Sequence, residues 1–206
     1  MDFNQFFEIL YNNIIDSSYL EVIAVIFGLL SVWFAKKENI LVFPTGIISV
    51  LIYVYICFFA KLYADMGINF VYFVMSIYGW YMWSRKSEKK KVLPISFCSV
   101  KEHIINIVMF VFFFIVLSYV LKNFTDSNVP IWDSLTTAIF IVGMWLMALK
   151  KIENWIVWII GDIISIPLYF YKGLVFTSLQ FTIFLIIAVL GYIEWKKKFE
   201  EGRQIA

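Results

Sequence analysis

The chain has 206 residues, a formal net charge of +2, 62% hydrophobic residues and only 16% charged ones. A soluble domain is about 45–50% apolar and about 25% charged, so this composition excludes a soluble enzyme, and its apolar content excludes a disordered chain. The near-neutral balance argues against nucleic acid as the main partner, while two cysteines and one histidine allow neither a disulfide framework nor a His-rich metal or haem site.

Residues 1–16 contain no Lys or Arg, so they do not read as a signal peptide. Phe3, Phe6, Phe7, Leu10, Ile14 and Ile15 recur at helical spacing, which predicts an amphipathic helix lying on the membrane surface. Seven apolar segments follow: 20–35, 40–60, 66–84, 104–121, 134–149, 155–171 and 174–193. The second, third, fourth and seventh are free of Asp, Glu, Lys and Arg for 18 to 21 residues, and about 20 apolar residues span a hydrocarbon core of ~30 Å. The first and fifth are clean for 14 to 16 residues and need interfacial flanks or a thinned bilayer to cross. The sixth carries one carboxylate, Asp162. All seven are predicted transmembrane helices, with 196–206 a basic tail.

Polar side chains inside these segments fall on single helix faces. Thr45, Ser49 and Tyr53 share a face of the second, whose inner end Pro44 and Gly46 loosen. Asn69, Tyr72, Ser76, Trp80 and Trp83 form a stripe on the third. Trp155, Trp158, Asp162, Ser165 and Tyr169 form another on the sixth, just after Asn154, and Thr177, Gln180 and Phe184 share a face of the seventh. Asp162 alone of the 15 acids lies well inside a segment. An ionised carboxylate facing lipid costs at least ~2.5 kcal/mol, so Asp162 must face a cavity or a partner. Pro167 frees a backbone carbonyl and permits a kink.

Trp33, Trp83, Trp145 and Trp195 lie beside Lys or Arg at segment ends and read as interfacial belt residues, with Trp132 in the opposite belt. His103 reads as a solvated interface residue. Trp80, Trp155 and Trp158 share faces with polar groups and are ligand candidates. An aromatic box with one carboxylate, hydroxyls and amides suits a flat, cationic, hydroxyl-bearing solute, since a desolvated cation–π contact contributes about 2 kcal/mol. The candidate substrate-binding set is therefore Asn69, Tyr72, Ser76, Trp80, Asn154, Trp155, Trp158, Asp162, Tyr169, Thr177 and Gln180. No catalytic residue, metal ligand or cofactor is expected.

Basic residues alternate from side to side at every crossing. Lys36 and Lys37, the cluster from Arg85 to Lys101, Lys150 and Lys151, and the four basic residues of the tail make 14 on one side. Lys61, Lys122 and Lys172 are the three on the other. The rule that positive loops stay inside predicts an external N-terminus and a cytoplasmic C-terminus.

The first three segments resemble the last three. Trp33 matches Trp145 and Gly79–Trp83 matches Gly191–Trp195 at an offset of 112, while Glu38-Asn39 matches Glu153-Asn154 and Gly46 matches Gly161 at 115. Helices four crossings apart run the same way. The expected fold is all-α, with two parallel three-helix repeats around one linking helix and a pseudo-twofold axis along the membrane normal. Repeats of this kind form transporters with a site at their interface. No GxxxxGK[ST], HExxH or GxSxG motif is present, so nothing points to ATP hydrolysis or to the usual membrane hydrolases.

The stretches LVFPTGIIS (41–49), LYADMGINFVYFVMSIYGWYMW (62–83) and ENWIVWIIGDIISIPLYFYKGLVFTSL (153–179) resemble the PnuC family of bacterial vitamin transporters, and Trp155–Trp158 matches that family's WxxW motif. The resemblance covers nearly the whole chain. It implies a seven-helix 3+1+3 fold in the bacterial inner membrane, a homotrimer, and facilitated diffusion of nicotinamide riboside, with trapping by a cytoplasmic kinase. Related branches carry thiamine or riboflavin. Many members are expected to have glutamine at Asn69. Thiamine, also flat and cationic, is the alternative solute. A non-transporting assembly factor or sensor is the alternative of another class, and it predicts polar stripes that pack without leaving a cavity.

Overall fold

The computed structural model describes residues 19–85 and 93–205, with side chains to 202. The amphipathic segment 1–16 lies outside the described residues. Seven helices follow in order: α1 Tyr19–Lys36, α2 Val42–Phe59, α3 Tyr63–Ser84, α4 Val100–Phe124, α5 Pro130–Ala148, α6 Glu153–Tyr171 and α7 Val175–Ile205. Six of them are long and apolar enough to cross a membrane. The seventh, α3, has 22 residues, and Asp65, Asn69, Ser76 and its many Tyr and Trp side chains lower its hydropathy.

Local chemistry sets the helix ends. Ser99 caps α4 in a reciprocal pair with Glu102, whose carboxylate accepts from the Ser99 N–H at 2.7 Å. Pro130 opens α5, where its missing N–H has no cost. Each short turn within the two three-helix groups carries one left-handed residue: Glu38 (φ 57°), Lys61 (58°), Lys150 (52°) and Gly173 (77°). The basic tail is no separate element, because α7 continues through it.

Helices α1, α2 and α3 pack on one another, as do α5, α6 and α7, and the two groups meet through α3 against α5 and α1 against α7. α5 is buried along most of its length. α4 packs mainly on α5 and buries only Asn106 and Leu121, as a lipid-facing helix should.

The two groups repeat their contacts at a constant spacing of 112 residues, the separation of the Glu38–Lys150 pair. Gly28 faces Ser49 and Ser31 faces Gly46; 112 residues on, Phe140 faces Gly161 and Gly143 faces Trp158. Phe43 fills the notch at Gly79 as Trp155 fills the notch at Gly191. These contacts pair Gly46 with Trp158 at the spacing of 112, where the sequence match at 115 pairs it with Gly161. Gly161 thus takes the place of Ser49 and Gly143 that of Ser31, a small residue on the same side of each contact, while Gly28 and Gly46 match Phe140 and Trp158 across the 112-residue spacing.

Candidate functional site

A cavity of about 450 Å³ lies between the two groups. Its floor is the buried cluster of Ala35, Val42, Phe43, Trp83, Met147, Ile152, Trp155, Ala188 and Trp195, several of which line it directly. This closes the end at which the Lys-rich turns gather. The opposite end is lined by Glu21, Leu62 and Asp65. There Lys172 pairs with Asp133 at 2.5 Å and stands 5.4 Å from the Tyr169 ring, while Ser127 donates to the same carboxylate at 2.7 Å.

One wall is a column of four near-parallel rings. Trp158 stacks on Phe140 at 5.1 Å and 24°, Phe140 on Phe181 at 5.7 Å and 9°, and Phe181 on Tyr169 at 5.0 Å and 18°. Gly161 makes the column possible, because a Cβ there would overlap Phe140. The facing wall, from α1 to α3, is made of Gly28, Ser31, Gly46, Ser49, Tyr53, Tyr72 and Ser76. Two of its hydroxyls are engaged: Ser31 Oγ donates to the Val42 carbonyl and Ser49 Oγ to that of Ala24, both at 2.8 Å.

Nine of the eleven sequence candidates border the cavity: Asn69, Tyr72, Ser76, Trp155, Trp158, Asp162, Tyr169, Thr177 and Gln180. Trp80 does not. It is 41% exposed on the outer surface, because the inward line of α3 runs through Tyr72, Ser76, Gly79 and Trp83, and Trp80 is turned about 100° from Gly79. Asn154 is also displaced: it is fully buried and donates to the Lys151 carbonyl at 2.6 Å, holding the α5–α6 turn. Asn69 donates to the Asp65 carbonyl at 2.9 Å, which leaves its amide oxygen for a solute.

Asp162 is wholly buried, and neither carboxylate oxygen has a hydrogen-bond partner among the described residues. Ser165 Oγ and Trp155 Nε1 are unpartnered as well. Buried polar groups are normally satisfied, and α6 carries five residues with such an atom: Glu153, Asn154, Trp155, Asp162 and Ser165. Trp155 itself meets Trp195 edge-on at 5.5 Å and belongs to the floor.

Two belt assignments fail. Trp83 and Trp195 are 5% and 0% exposed. Their indole N–H groups cross between the groups, Trp83 donating to the Met147 carbonyl at 3.2 Å and Trp195 to that of Ala35 at 3.1 Å. Trp33, 44% exposed beside Lys36, fits the belt. His103 is 54% exposed and 3.8 Å from Glu153, as an interface residue should be. Phe140, Phe181, Tyr53, Asp65 and Glu21 line the cavity and were absent from the sequence set. Apolar rings carry no polar signal, and the two acids read as segment ends. Cys57 and Cys98 are both free thiols; Cys98, in the loop before α4, is pushed up to about 12 by burial and by the carboxylate of Glu153.

The family of nicotinamide mononucleotide transporters matches residues 18–197. The nicotinamide riboside transporter PnuC of Escherichia coli (strain K12) is 30% identical, over 87% of this chain and 86% of its own. That of Neisseria mucosa is 29% identical over 87% and 73%, and the riboflavin/roseoflavin transporter RibM of Streptomyces davaonensis is 22% identical over 85% and 83%. The crystal structure of the vitamin B3 transporter PnuC superposes with a TM-score of 0.70 at 27% identity, covering 95% of this chain and 90% of that one. The chain belongs to the nicotinamide mononucleotide transporter family.

Proposed function

We propose that this member of the family carries nicotinamide riboside across the bacterial inner membrane by facilitated diffusion. One observation carries the choice of solute: among the described residues the cavity is lined by three carboxylates, Glu21, Asp65 and Asp162, and by no Lys, Arg or His. A flat pyridinium cation finds ring faces and opposite charge there. The phosphate of the mononucleotide, after which the family is named, would meet like charge on that lining. About 450 Å³ also lies within the usual range of small-molecule sites. It speaks against an assembly factor or sensor, which expects packed stripes and no such space.

The architecture belongs to the same proposal. All seven helices cross the membrane, with an external N-terminus and a cytoplasmic C-terminus, and 20–84 and 134–195 are parallel repeats around the linking helix 104–121. The repeat draws its support from contacts that recur 112 residues apart. The orientation draws its support from Lys37, Lys150, Lys151, Lys197 and Lys198, which gather at the floor end of the bundle, where Lys37 and Lys198 reach Glu194 and Glu38. The homotrimer and the trapping kinase rest on the family resemblance. Of the eleven candidates, the nine at the cavity remain as the proposed binding set, joined by Phe140 and Phe181.

A thermal-shift panel of purified protein tests the solute. Nicotinamide riboside should stabilise it most and its mononucleotide little. Thiamine is the rival cation, and a larger shift with thiamine would reassign the substrate. In proteoliposomes a monovalent cation gains about 2.3 kcal/mol per 100 mV of inside-negative potential, so loading should proceed without ATP. Strict dependence on ATP or on a sodium gradient defeats the uniporter reading.

A further inference from the structure

Positions 38 and 150 lie 112 residues apart, share the left-handed backbone (φ 57° and 52°), and touch: Lys150 Nζ donates to Glu38 Oε1 at 2.8 Å. Two positions exchanged by a twofold axis can meet only on that axis. Trp83 and Trp195 do the same within the floor, with ring centroids 6.1 Å apart. Granted the parallel repeats of the carrier reading, the axis passes through the ion pair and the tryptophan pair, with the cavity on the far side of that floor. Like residues at the two turns would set like charges against each other; one turn has Glu and the other Lys.

The two partners are held differently. Lys150 is 3% exposed, its ammonium is 4.5 Å from the centre of the Trp83 ring, and its backbone carbonyl accepts from the Ser96 N–H at 3.1 Å. Glu38 is a quarter exposed and also accepts from Lys198 at 3.3 Å. The pair therefore joins the α1–α2 turn of one repeat to the α5–α6 turn of the other, across the line a solute must take to leave the cavity. Separating the repeats at this end strands a buried ammonium until water reaches it, and a lone buried charge is far costlier than a paired one. That coupling makes the contact either closed or hydrated and open, the two discrete arrangements a gate requires.

We infer that Glu38 and Lys150 form the inner latch of the carrier, and that their separation is the step that opens the cavity to the cytoplasm. The inference rests on the proposed transport. It is tested with a reporter, Gln180→Cys, in a Cys57→Ser/Cys98→Ser background, labelled by a membrane-impermeant maleimide from either face of oriented vesicles. Glu38→Gln and Lys150→Met should each raise labelling from the cytoplasmic face about threefold or more and lower it from the outer face, as a shift of population between two states requires. The exchange variant Glu38→Lys/Lys150→Glu restores opposite charges on the axis and should return both rates toward the parent. Glu38→Gln keeps the side-chain shape and carries the test alone if Lys150→Met does not fold. Single variants that label like the parent, or equally faster from both faces, overturn the latch, as does an exchange variant as open as the singles. A parent protein that shifts with no vitamin in the thermal panel instead defeats the carrier reading.

Discussion

The helices α1–α3 and α5–α7 make several matching contacts, and at some of them the side chains differ sharply in size. Where the first group has Gly28 and Gly46, the second has Phe140 and Trp158; where the first has Asn69, the second has Phe181. One backbone plan thus yields a roomy wall from one side and a stacked aromatic wall from the other. Had both groups kept the large rings, the centre would be solid core. Had both kept the small residues, no ring face would await a flat solute. The space exists because positions 112 residues apart in matching contacts carry side chains of different volume.

The largest effect should come from making one such pair alike. Gly28→Phe copies Phe140 into the first group, where the nearest neighbours of the new Cβ are Ser49, Phe184 and Gln180, at 3.3 to 4.0 Å. The ring then enters the cavity, and binding of nicotinamide riboside should fall at least about 100-fold by calorimetry, the loss of roughly 3 kcal/mol. Gly67→Ala, with nothing within 4 Å, is the control and should bind like the parent. Normal binding by Gly28→Phe would mean that the solute does not use this space.

Removing the opposite wall should cost less. Trp158→Ala takes the end ring from the column and should weaken binding by roughly 1–2 kcal/mol, the scale of one desolvated cation–π contact, or about 5- to 30-fold in Kd. Trp33→Ala, at the membrane belt, should alter stability and leave affinity alone. The reverse pattern, with Trp33 affecting affinity and Trp158 not, would move the site off α6.

Those two variants also mark what the sequence could tell. Helix count and the α6 stripe were legible because charge gaps and 3.6-residue spacing depend on one segment at a time. Trp80 misled because the α3 stripe is wide enough to contain both an inward and an outward face, and only packing of Gly79 against Phe43 chooses between them. Phe140 and Phe181 were illegible for another reason: in a chain with 22 Phe, a ring is a site residue only by virtue of the ring it stacks on. Trp83 and Trp195 sat beside Lys and Arg like belt residues, and their true partners are carbonyls of the other group, 64 and 160 residues away.

A smaller effect should separate charge from volume. Asp162→Asn keeps the shape and removes the unpartnered carboxylate. If Asp162 offsets a positive solute, nicotinamide riboside should lose about 3- to 10-fold in affinity, and neutral riboflavin, wherever it binds, should lose none. A lower melting temperature with unchanged affinity for both solutes in the surviving protein would make Asp162 a structural group.

The smallest effect tests where the symmetry still holds. Trp83→Phe and Trp195→Phe each delete one crossed N–H···O=C bond and keep an aromatic ring against the floor. A buried hydrogen bond of this kind contributes about 0.5–1.5 kcal/mol, and the carbonyl left behind adds to the loss. Because the two bonds are equivalent in partner, length and burial, the two variants should destabilise the protein by similar amounts in a reversible unfolding titration. Trp83 also carries the Lys150 ammonium on its face, and among the described residues Trp195 has no such cation. Phe holds a cation less well than Trp, so Trp83→Phe should be the worse of the two by a few tenths of a kcal/mol, and Lys150→Met should erase that difference. If Trp195→Phe is instead the more damaging, or the difference survives Lys150→Met, then the floor is not the paired structure that its crossed bonds describe, and the asymmetry between the groups reaches deeper than the cavity walls.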